Sequence, residues 1–242
     1  MKIIVAVLLC LLPTNIVRWI FLLFNSKKYK IERGCHIGFS FVFVDKLLMR
    51  SSANIGHLNY INTKSLNMLG GAKIGSLNYC KGLFYVKMAQ NSRMNHTNKV
   101  SKSGRSYRIS TLFLGKNVNL NVGQVLDMTD DITILDNTVL AGMETHIWTH
   151  SFYVSKSSGD VARIDKSVNI GRNCYIGSRC TILPGIRISD GVTVGAQVCV
   201  SKDLEQSGLY VSQPFRFLSF DSDEKISSLG TPIHENIYRI ER

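Results

Sequence analysis

The chain has 242 residues, 45% of them apolar, and a formal net charge of +12. This length gives room for one or two domains with a sizeable core, and this composition excludes a disordered chain. The charge is uneven, because the stretch between Asp45 and Asp127 contains twelve Lys and Arg but no Asp or Glu. Such a basic stretch is either a solvated surface or a surface for an anionic partner, such as phosphate, an anionic lipid or an acidic sugar. No nucleic-acid-binding motif accompanies it, so nucleic acid is not expected as a partner.

The N-terminal stretch from Met1 to Phe24 is strongly apolar, and a cluster of lysines follows it: Lys27, Lys28 and Lys30. Pro13 interrupts the apolar run and Arg18 lies in its second half, so a continuous apolar span of about 20 residues is missing. No small-residue cleavage site of a signal peptide follows either. We therefore expect residues 1–29 to form an apolar, helical segment on an anionic membrane surface, which would make the protein cytoplasmic and peripheral on the inner face of the plasma membrane. The alternative is that the segment packs on the rest of the chain or in an oligomer.

The middle of the chain shows a six-residue spacing of aliphatic residues, but irregularly. Ile37 and Ile55 are separated by three such spacings, whereas residues 81–110 lose the pattern and are predicted to form a loop or an extended rim. A second interruption covers residues 149–162, which carry polar residues and no repeat. We predict that this segment is a loop that protrudes from the repeat, and such loops often contain functional residues.

The spacing becomes regular from Val168 to Asp203. One aliphatic residue falls on every sixth position: Ile170, Ile176, Ile182, Ile188, Val194 and Val200. A fixed six-residue repeat is typical of a β-helix, in which three hexads form one triangular coil and the aliphatic residues stack inside. Three glycines directly follow members of this set, namely Gly171, Gly177 and Gly195, and we expect them at corners that need a positive φ. The sequence thus predicts an all-β chain with a β-helix over residues 30–203 and a C-terminal tail over 204–242, with a short helix at Ile233–Ile240.

The repeat resembles that of the hexapeptide-repeat acyltransferases, and it is most similar to the galactoside/maltose-type and surface-polysaccharide O-acetyltransferases. The resemblance is specific over Leu114–Arg216 and loose over Lys30–Ser110. It implies a left-handed parallel β-helix that forms a homotrimer, with acetyl-CoA bound between neighbouring prisms. It further implies an enzyme that moves an acetyl group from acetyl-CoA to a hydroxyl of a saccharide, free or lipid-linked, in the synthesis of bacterial surface polysaccharide such as O-antigen or capsule.

The resemblance singles out His150, which lies in the segment Trp148-Thr149-His150 at the start of the second predicted loop. The catalytic histidine of the family occupies a similar Thr-His segment shortly before the regular coils. Acyl transfer to a hydroxyl needs a base that works near pH 7, and histidine is the side chain that meets this need. His146, four residues earlier, is the rival for this role and is expected, like Trp148, to contact the acceptor.

The remaining site residues come from the same resemblance. Those implied for the donor are Ser178, Gly195, Ala196, Ser201, Lys202 and Arg216. Those implied for the acceptor, besides His146 and Trp148, are Asn119, Asn121 and Asp127. Asp127 or a backbone carbonyl is also expected to hold the second ring nitrogen of His150. Gln197 departs from the family pattern, which has a second glycine after the Gly-Ala pair.

Two other functions stay open at this point. A γ-class carbonic anhydrase shares the fold but needs three zinc-binding histidines, and only His146 and His150 are close in sequence. A non-catalytic scaffold at the membrane would use the basic face alone. The six cysteines form no CxxC pair, so we interpret them as small core residues of a reduced protein, and no metal is expected.

Overall fold

The computed structural model describes residues 2–24, 26–102, 108–212, 216–219, 232–234 and 237–238. Two short helices, α1 (Lys2–Leu11) and α2 (Thr14–Leu23), precede a β-helix of parallel strands. The chain follows three flat faces in a fixed order, from the first to the second to the third, and then returns to the first face one coil further on. Along each face, the strands of successive coils pair in parallel register.

The strands divide among the three faces as follows. The first face contains β1 (Tyr29–Ile31), the second halves of β3 (Phe41–Met49) and β5 (Tyr60–Met68), β8 (Phe84–Met88), β11 (Ser110–Leu114), β14 (Ile132–Ile134), β19 (Val168–Ile170) and β22 (Arg187–Ile188). The second face contains β2 (His36–Ile37), β4 (Asn54–Ile55), β6 (Lys73–Ile74), β9 (Arg93–Met94), β12 (Asn119–Val122), β15 (Val139–Met143), β20 (Tyr175–Ile176), β23 (Val192–Val194), β25 (Gly208–Val211) and, antiparallel to it, β26 (Arg216–Leu218). The third face contains the first halves of β3 and β5, β7 (Tyr79–Lys81), β10 (Lys99–Ser101), β13 (Val125–Asp127), β16 (His146–Ile147), β21 (Thr181–Ile182) and β24 (Cys199–Val200).

The register predicted for the regular repeat is confirmed. Residues three hexads apart stack on the same face, and the pairs are Ile170 with Ile188, Ile176 with Val194, and Ile182 with Val200. All six side chains are buried. Burying an aliphatic side chain of this size stabilises a fold by roughly 1.5–3 kcal/mol, so these stacks form the core of the last coils.

The loop predicted for residues 81–110 is wrong over most of its length, since β8, β9 and β10 continue the three faces there. The coils in this part are longer than three hexads, because Ile61 pairs with Cys80 and Met68 pairs with Met88. The extra one or two positions in each coil put the inward positions out of phase with a six-residue count. Cys and Met also replace Ile and Val at several buried positions, so the aliphatic pattern is hidden although the geometry persists.

The three glycines of the regular repeat have a different role from the one expected. None of Gly171, Gly177 and Gly195 has a positive φ. A Cβ on Gly171 would lie 2.6 Å from the main-chain nitrogen of Asp190, and a Cβ on Gly177 would lie 2.6 Å from that of Ala196. Glycine is therefore needed at these two positions because the next coil passes too close for a side chain. The positive φ angles occur two residues later, at Asn173, Arg179 and Gln197.

The predicted helical segment is confirmed, and part of it packs on the first coils, as the alternative interpretation required. Its buried side chains belong to the same core as the β-helix: Val5, Leu9, Val17 and Phe21. A hydrogen bond connects α2 to the second face, where the N–H of Ile37 in β2 donates to the Thr14 hydroxyl at 2.8 Å. Many large apolar side chains of both helices, and of the residue that directly follows α2, stay exposed: Ile3, Ile4, Val7, Leu11, Ile16, Trp19, Leu22, Leu23 and Phe24. Among the described residues, no helix combines the length and the apolarity that a membrane span requires.

The structure also bears on the predicted burial of the cysteines and on the predicted C-terminal helix. Five cysteines are buried, but Cys199 is exposed, because side chains alternate along β24 and Val200 takes the inward position. Burial raises the pKa of the Cys80 thiol to about 12. The short helix predicted at Ile233–Ile240 is wrong, since β27 (Pro232–His234) and β28 (Ile237–Tyr238) pair antiparallel there.

Candidate active site

A β-hairpin leaves the β-helix at the corner between the third and first faces. It consists of β17 (His150–Val154) and β18 (Val161–Asp165), which pair antiparallel before the chain re-enters the first face at β19. His150 and Asp165 form the pair nearest the β-helix, and the Lys166 N–H donates to the Thr149 carbonyl at 2.9 Å. The loop predicted over residues 149–162 is therefore a hairpin, and His150 lies at its base.

His150 contacts a carboxylate from the preceding coil. Its Nδ1 lies 2.6 Å from Oδ2 of Asp127, the last residue of β13. The register explains this contact, because Val125 pairs with His146 one coil later, and the segments that follow β13 and β16 therefore lie side by side. Two residues that are 23 positions apart in the sequence thus meet at one corner.

Asp127 is buried and accepts hydrogen bonds on both carboxylate oxygens. Oδ2 accepts from the Thr149 N–H at 3.0 Å, and Oδ1 accepts from the Thr129 hydroxyl at 2.7 Å. Burial acts to raise the pKa of Asp127, but the hydrogen bonds from His150, Thr129 and Thr149 outweigh burial and hold this pKa below its usual range. The carboxylate is therefore ionised at neutral pH.

The ionised carboxylate decides which nitrogen of His150 is available to accept a proton. A carboxylate accepts hydrogen bonds and does not donate them, so Nδ1 of the neutral imidazole carries the proton and Nε2 carries the lone pair. The His150 side chain is 17% exposed, which leaves a path for a reactant to approach it. A histidine held in this way by a carboxylate is suited to general base catalysis.

Alternate residues from His146 to Phe152 form one row of rings. The centroids of successive rings are 6.1, 6.1 and 5.3 Å apart, in the order His146, Trp148, His150 and Phe152. His146 contacts no carboxylate among the described residues, and the Trp148 ring separates it from His150 along the row. Within the same described ranges, no group of three or more His, Cys, Asp or Glu side chains is arranged to hold a metal ion.

Sequence reasoning missed the residues that support the histidine–aspartate pair. The Thr149 hydroxyl joins the two coils, since it accepts from the Asp130 N–H at 2.9 Å and lies 2.7 Å from the Asp127 carbonyl. Arg108 forms ion pairs with Asp130 at 2.7 Å and with Asp131 at 2.5 Å, so it compensates two further carboxylates beside the pair. The only sequence signal for this cluster is the polar run Asp127–Asp131, and its position next to His150 becomes evident only when the coil register is known.

Comparison with known proteins agrees with the observed repeat. Residues 167–202 match the bacterial transferase hexapeptide model, which comprises six repeats. This stretch of the chain consists of hexapeptide repeats. The chain is 34% identical over 89 residues to YvoF of Bacillus subtilis (strain 168), covering 37% of this chain and 48% of that protein. It is 30% identical over 113 residues to the galactoside O-acetyltransferase of Escherichia coli (strain K12), covering 45% of this chain and 54% of that enzyme.

A maltose O-acetyltransferase is among the solved structures that are similar to part of this chain. The maltose O-acetyltransferase from Clostridium difficile 630 is 25% identical to this chain, with a TM-score of 0.40, and the match covers 60% of this chain and 69% of that one. The hexapeptide-repeat chain spans about half the length of the curated relatives named above. What those relatives act on is therefore a guide to hypotheses for this chain.

The predicted donor residues of the hexapeptide repeat lie on two corners that flank the third face. The corner between the second and third faces carries Ser178, Gly195 and Ala196. Successive coils are hydrogen-bonded at this corner, since the Gln197 N–H donates to the Ser178 carbonyl at 2.8 Å. Ala196 is exposed and Ser178 is half-buried, so both are within reach of a ligand that runs along the edge of the prism.

The other donor residues follow the third face. Ser201 and Lys202 lie directly after β24, at the corner that also carries His150, and both are exposed. They are two coils beyond His150, which corresponds to about 10 Å along the axis of the β-helix. Arg216 is the first residue of β26, and its side chain lies outside the described part of the structure.

The structure does not bring the predicted acceptor asparagines to His150 within one chain. Asn119 and Asn121 belong to β12, on the second face, and both side-chain oxygens accept from the amide of Asn95, at 2.9 and 3.1 Å. Asp127 was predicted both as an acceptor contact and as a possible partner of the second ring nitrogen of His150, and its carboxylate faces His150 and Thr149. The residue pattern alone could not separate these roles, because it does not show which face each residue occupies.

Proposed function

We propose that this protein is an acetyl-CoA-dependent O-acetyltransferase that acts on a saccharide hydroxyl in the synthesis of bacterial surface polysaccharide. The observation that carries the proposal is the 2.6 Å contact between His150 Nδ1 and Asp127 Oδ2, at the same corner as Lys202. This corner combines an oriented base with a cation that suits a coenzyme A phosphate. The similarity to the galactoside O-acetyltransferase of Escherichia coli supports the reaction class.

In the proposed reaction, Nε2 of His150 takes the proton of the acceptor hydroxyl while the hydroxyl oxygen attacks the thioester carbonyl. The ester C–O bond forms, the thioester C–S bond breaks, and the imidazolium returns its proton to the departing sulfur. Asp127 keeps Nδ1 protonated and stabilises the imidazolium. General base catalysis of this kind contributes about 10²–10⁴-fold, and direct transfer needs no covalent acyl-enzyme because both substrates are bound together.

The row of rings beside His150 supports a saccharide acceptor. Trp148 is 37% exposed and Phe152 is 52% exposed, and they flank the histidine on either side. Exposed aromatic rings offer a large apolar surface, against which the CH face of a sugar ring can stack. A sugar that lies on these rings would present its hydroxyls to Nε2. A lipid-linked saccharide is the acceptor that also agrees with the apolar helices.

We further propose that the enzyme is a homotrimer in which the third faces pack around a common axis. Such packing brings the corner with Ser178 and Ala196 of one chain next to the corner with His150 and Lys202 of its neighbour. The third face and its edge expose apolar side chains that association would cover: Phe39, Phe41, Leu58, Leu77 and Tyr79. Light scattering on the native protein tests this proposal, and a fully active monomer would contradict it.

The apolar helices support a peripheral membrane location. Leu23 and Phe24 are 80% and 81% exposed at the end of α2, and Lys27 and Lys28 follow them. Exposed apolar side chains next to lysines are typical of segments that lie on anionic membranes. Fractionation of cells that express either the full chain or a chain that begins at Ser26 tests this point. Equal solubility of the two proteins would contradict membrane association.

The enzymatic proposal is tested by following acetyl transfer from acetyl-CoA to a panel of sugar nucleotides and lipid-linked oligosaccharides. The panel should include chloramphenicol, because a relative from Morganella morganii is named a chloramphenicol acetyltransferase. The expected result is transfer to a saccharide that falls at least about 10²-fold in His150→Ala. Failure to bind acetyl-CoA, measured by calorimetry, would overturn the proposal and favour a non-catalytic scaffold.

A further inference from the structure

A cavity of about 340 Å³ lies between α2 and the first face of the β-helix. Phe21, Leu22 and Leu48 form its apolar wall, while Arg18 and Lys30 lie on its polar side. The cavity is at the end of the prism that carries the exposed helices, far along the chain from the candidate active site. None of the residues that line the cavity takes part in the acetyl transfer proposed above.

Arg18 is the feature of this cavity that most needs an explanation. It is the one charged residue in the sequence of α2, TNIVRWIFLL. Its guanidinium carbon lies 5.1 Å from the centre of the Trp19 ring, and its Nε is buried without a hydrogen-bond partner among the described residues. Buried donors in folded proteins nearly always have an acceptor. A ligand that supplies an acceptor oxygen at this point would satisfy Nε.

The charges around the cavity favour an anionic ligand. Glu32, the carboxylate in its lining, is already engaged by an ion pair with Arg50 and by the Ser51 N–H at 2.9 Å. Lys30 forms no ion pair within the described ranges. A neighbouring cavity of about 290 Å³ adds further cations, since its lining includes Lys27, Lys28 and Lys46 and contains no carboxylate. The local field is therefore strongly positive.

The apolar surroundings select a lipid among anionic ligands. Leu22 lies in the cavity wall and is 55% exposed, and Leu23 and Phe24 directly follow it with 80% and 81% exposure. A soluble phosphate would leave these side chains in water, whereas a membrane would bury them. The planar guanidinium matches a phosphate group with two parallel hydrogen bonds. We propose that this cavity binds the phosphate of an anionic membrane phospholipid, so that α2 docks at a defined headgroup and not only by diffuse attraction.

This inference rests on the membrane association proposed above and is independent of acetyl transfer. It predicts that removing a cation in the cavity weakens binding to anionic vesicles more than removing a cation of equal charge outside the cavity. Flotation with phosphatidylcholine vesicles, with and without phosphatidylglycerol, measures this difference on the full-length protein. The variants are Arg18→Gln and Arg18→Lys in the cavity, with Arg33→Gln as the control, since Arg33 is exposed and lines neither cavity.

The expected result is that Arg18→Gln weakens binding to phosphatidylglycerol vesicles about tenfold, which corresponds to about 1.4 kcal/mol. Arg18→Lys should bind more tightly than Arg18→Gln but less tightly than the wild type, because it keeps the charge but not the planar guanidinium. Arg33→Gln should change binding less than about threefold, the effect of one diffuse charge.

Equal losses in Arg18→Gln and Arg33→Gln would overturn the site while leaving the membrane association intact. Equal binding to both vesicle types would also overturn it. Tight binding of soluble glycerol phosphate would show that the ligand is a free phosphate and would overturn the lipid assignment. Thermal unfolding of each variant shows that the fold is retained.

Discussion

The contact between Asp127 and His150 makes the replacement Asp127→Asn a sharp test of the proposed mechanism. The amide has the size of the carboxylate, and its oxygen can still accept from the Thr149 N–H and from His150 Nδ1–H. Its nitrogen would then face the Thr129 hydroxyl, which can turn to act as an acceptor, while the 3.3 Å contact that the Thr129 N–H makes with Oδ1 is lost. The substitution therefore removes the negative charge at 2.6 Å from the imidazole while it keeps the local packing.

The size of the expected effect follows from the charge that develops on His150. When the imidazole takes a proton, the imidazolium and the Asp127 carboxylate attract each other with about 4 kcal/mol, for charges about 4 Å apart and an effective dielectric constant of about 20. Loss of this attraction corresponds to a decrease of about three orders of magnitude in kcat. If the amide turns its nitrogen to Nδ1, the imidazole changes tautomer and Nε2 loses its lone pair, which lowers kcat in the same direction.

The assay is steady-state acetyl transfer with acetyl-CoA and the best acceptor of the panel, with kcat and KM measured separately. KM for acetyl-CoA should stay nearly unchanged, because the predicted donor residues are elsewhere. Asp190→Asn is a suitable control, since Asp190 is an exposed carboxylate in the turn between β22 and β23, on another corner. A variant that keeps more than about a tenth of kcat, against an expected loss of about 10³, would refute the electrostatic reasoning. A large rise in acceptor KM at constant kcat would instead assign Asp127 to acceptor binding.

Three further predictions use other features of the structure. His150→Ala should lower kcat by at least about two orders of magnitude, and His146→Ala much less, because only His150 contacts Asp127; the reverse order in the same assay would make His146 the base. Gln197→Gly should raise the free energy of unfolding, measured by urea unfolding, by about 0.5–1 kcal/mol. Gln197 has a φ of 61°, a backbone conformation that costs a residue with a side chain about 1–2 kcal/mol. Glycine removes this cost, but the larger backbone entropy that glycine loses on folding cancels part of the gain. Ala196→Gly, where φ is not positive, should give no gain, and equal gains would contradict the argument. The stability difference between the wild type and Asp127→Asn should shrink as pH falls below about 4, the range in which an unfolded Asp titrates, because the lowered pKa of Asp127 stabilises the fold above the unfolded pKa and this contribution is lost as pH falls; a difference that grows below about pH 4, measured by urea unfolding, would show the opposite sign.

The regular coils were predictable because each of their hexads is complete. Ile170 and Ile188 are three hexads apart, and both the spacing and the aliphatic type repeat without a break. In the earlier coils, the corners absorb one or two extra residues, so Met68 meets Met88 instead of the residue three hexads on. A count along the sequence cannot detect such insertions, since they change the phase and leave the buried geometry intact. The glycines show a related limit, because sequence alone does not separate a positive φ from a close approach of the next coil.

The candidate site was predictable only in part, for a similar reason. His150 could be found from the sequence through its Thr-His segment and its place at the start of a non-repeating stretch. Asp127 was expected mainly as an acceptor contact, because its distance from His150 depends on how many residues the intervening coil contains. The supporting residues Thr129 and Arg108 have no signature of their own. Their roles arise from the pairing of Val125 with His146, which places two polar corners in contact.

The position of the hairpin explains why this corner, and no regular one, carries the histidine–aspartate pair. In a regular coil the chain turns directly from the third face to the first, as it does between Val200 and Leu204, and the corner residues face the solvent. At Thr149 the chain instead leaves the prism for β17 and β18, and the Thr149 hydroxyl and N–H turn back towards Asp127 of the coil below. The excursion thus covers a carboxylate that would otherwise be exposed, keeps it ionised through hydrogen bonds, and holds one imidazole nitrogen against it. Shortening the hairpin tip while keeping residues 149–152 and 163–166 should therefore preserve the pair, whereas a direct connection from Ile147 to Val168 would expose Asp127 and remove the base.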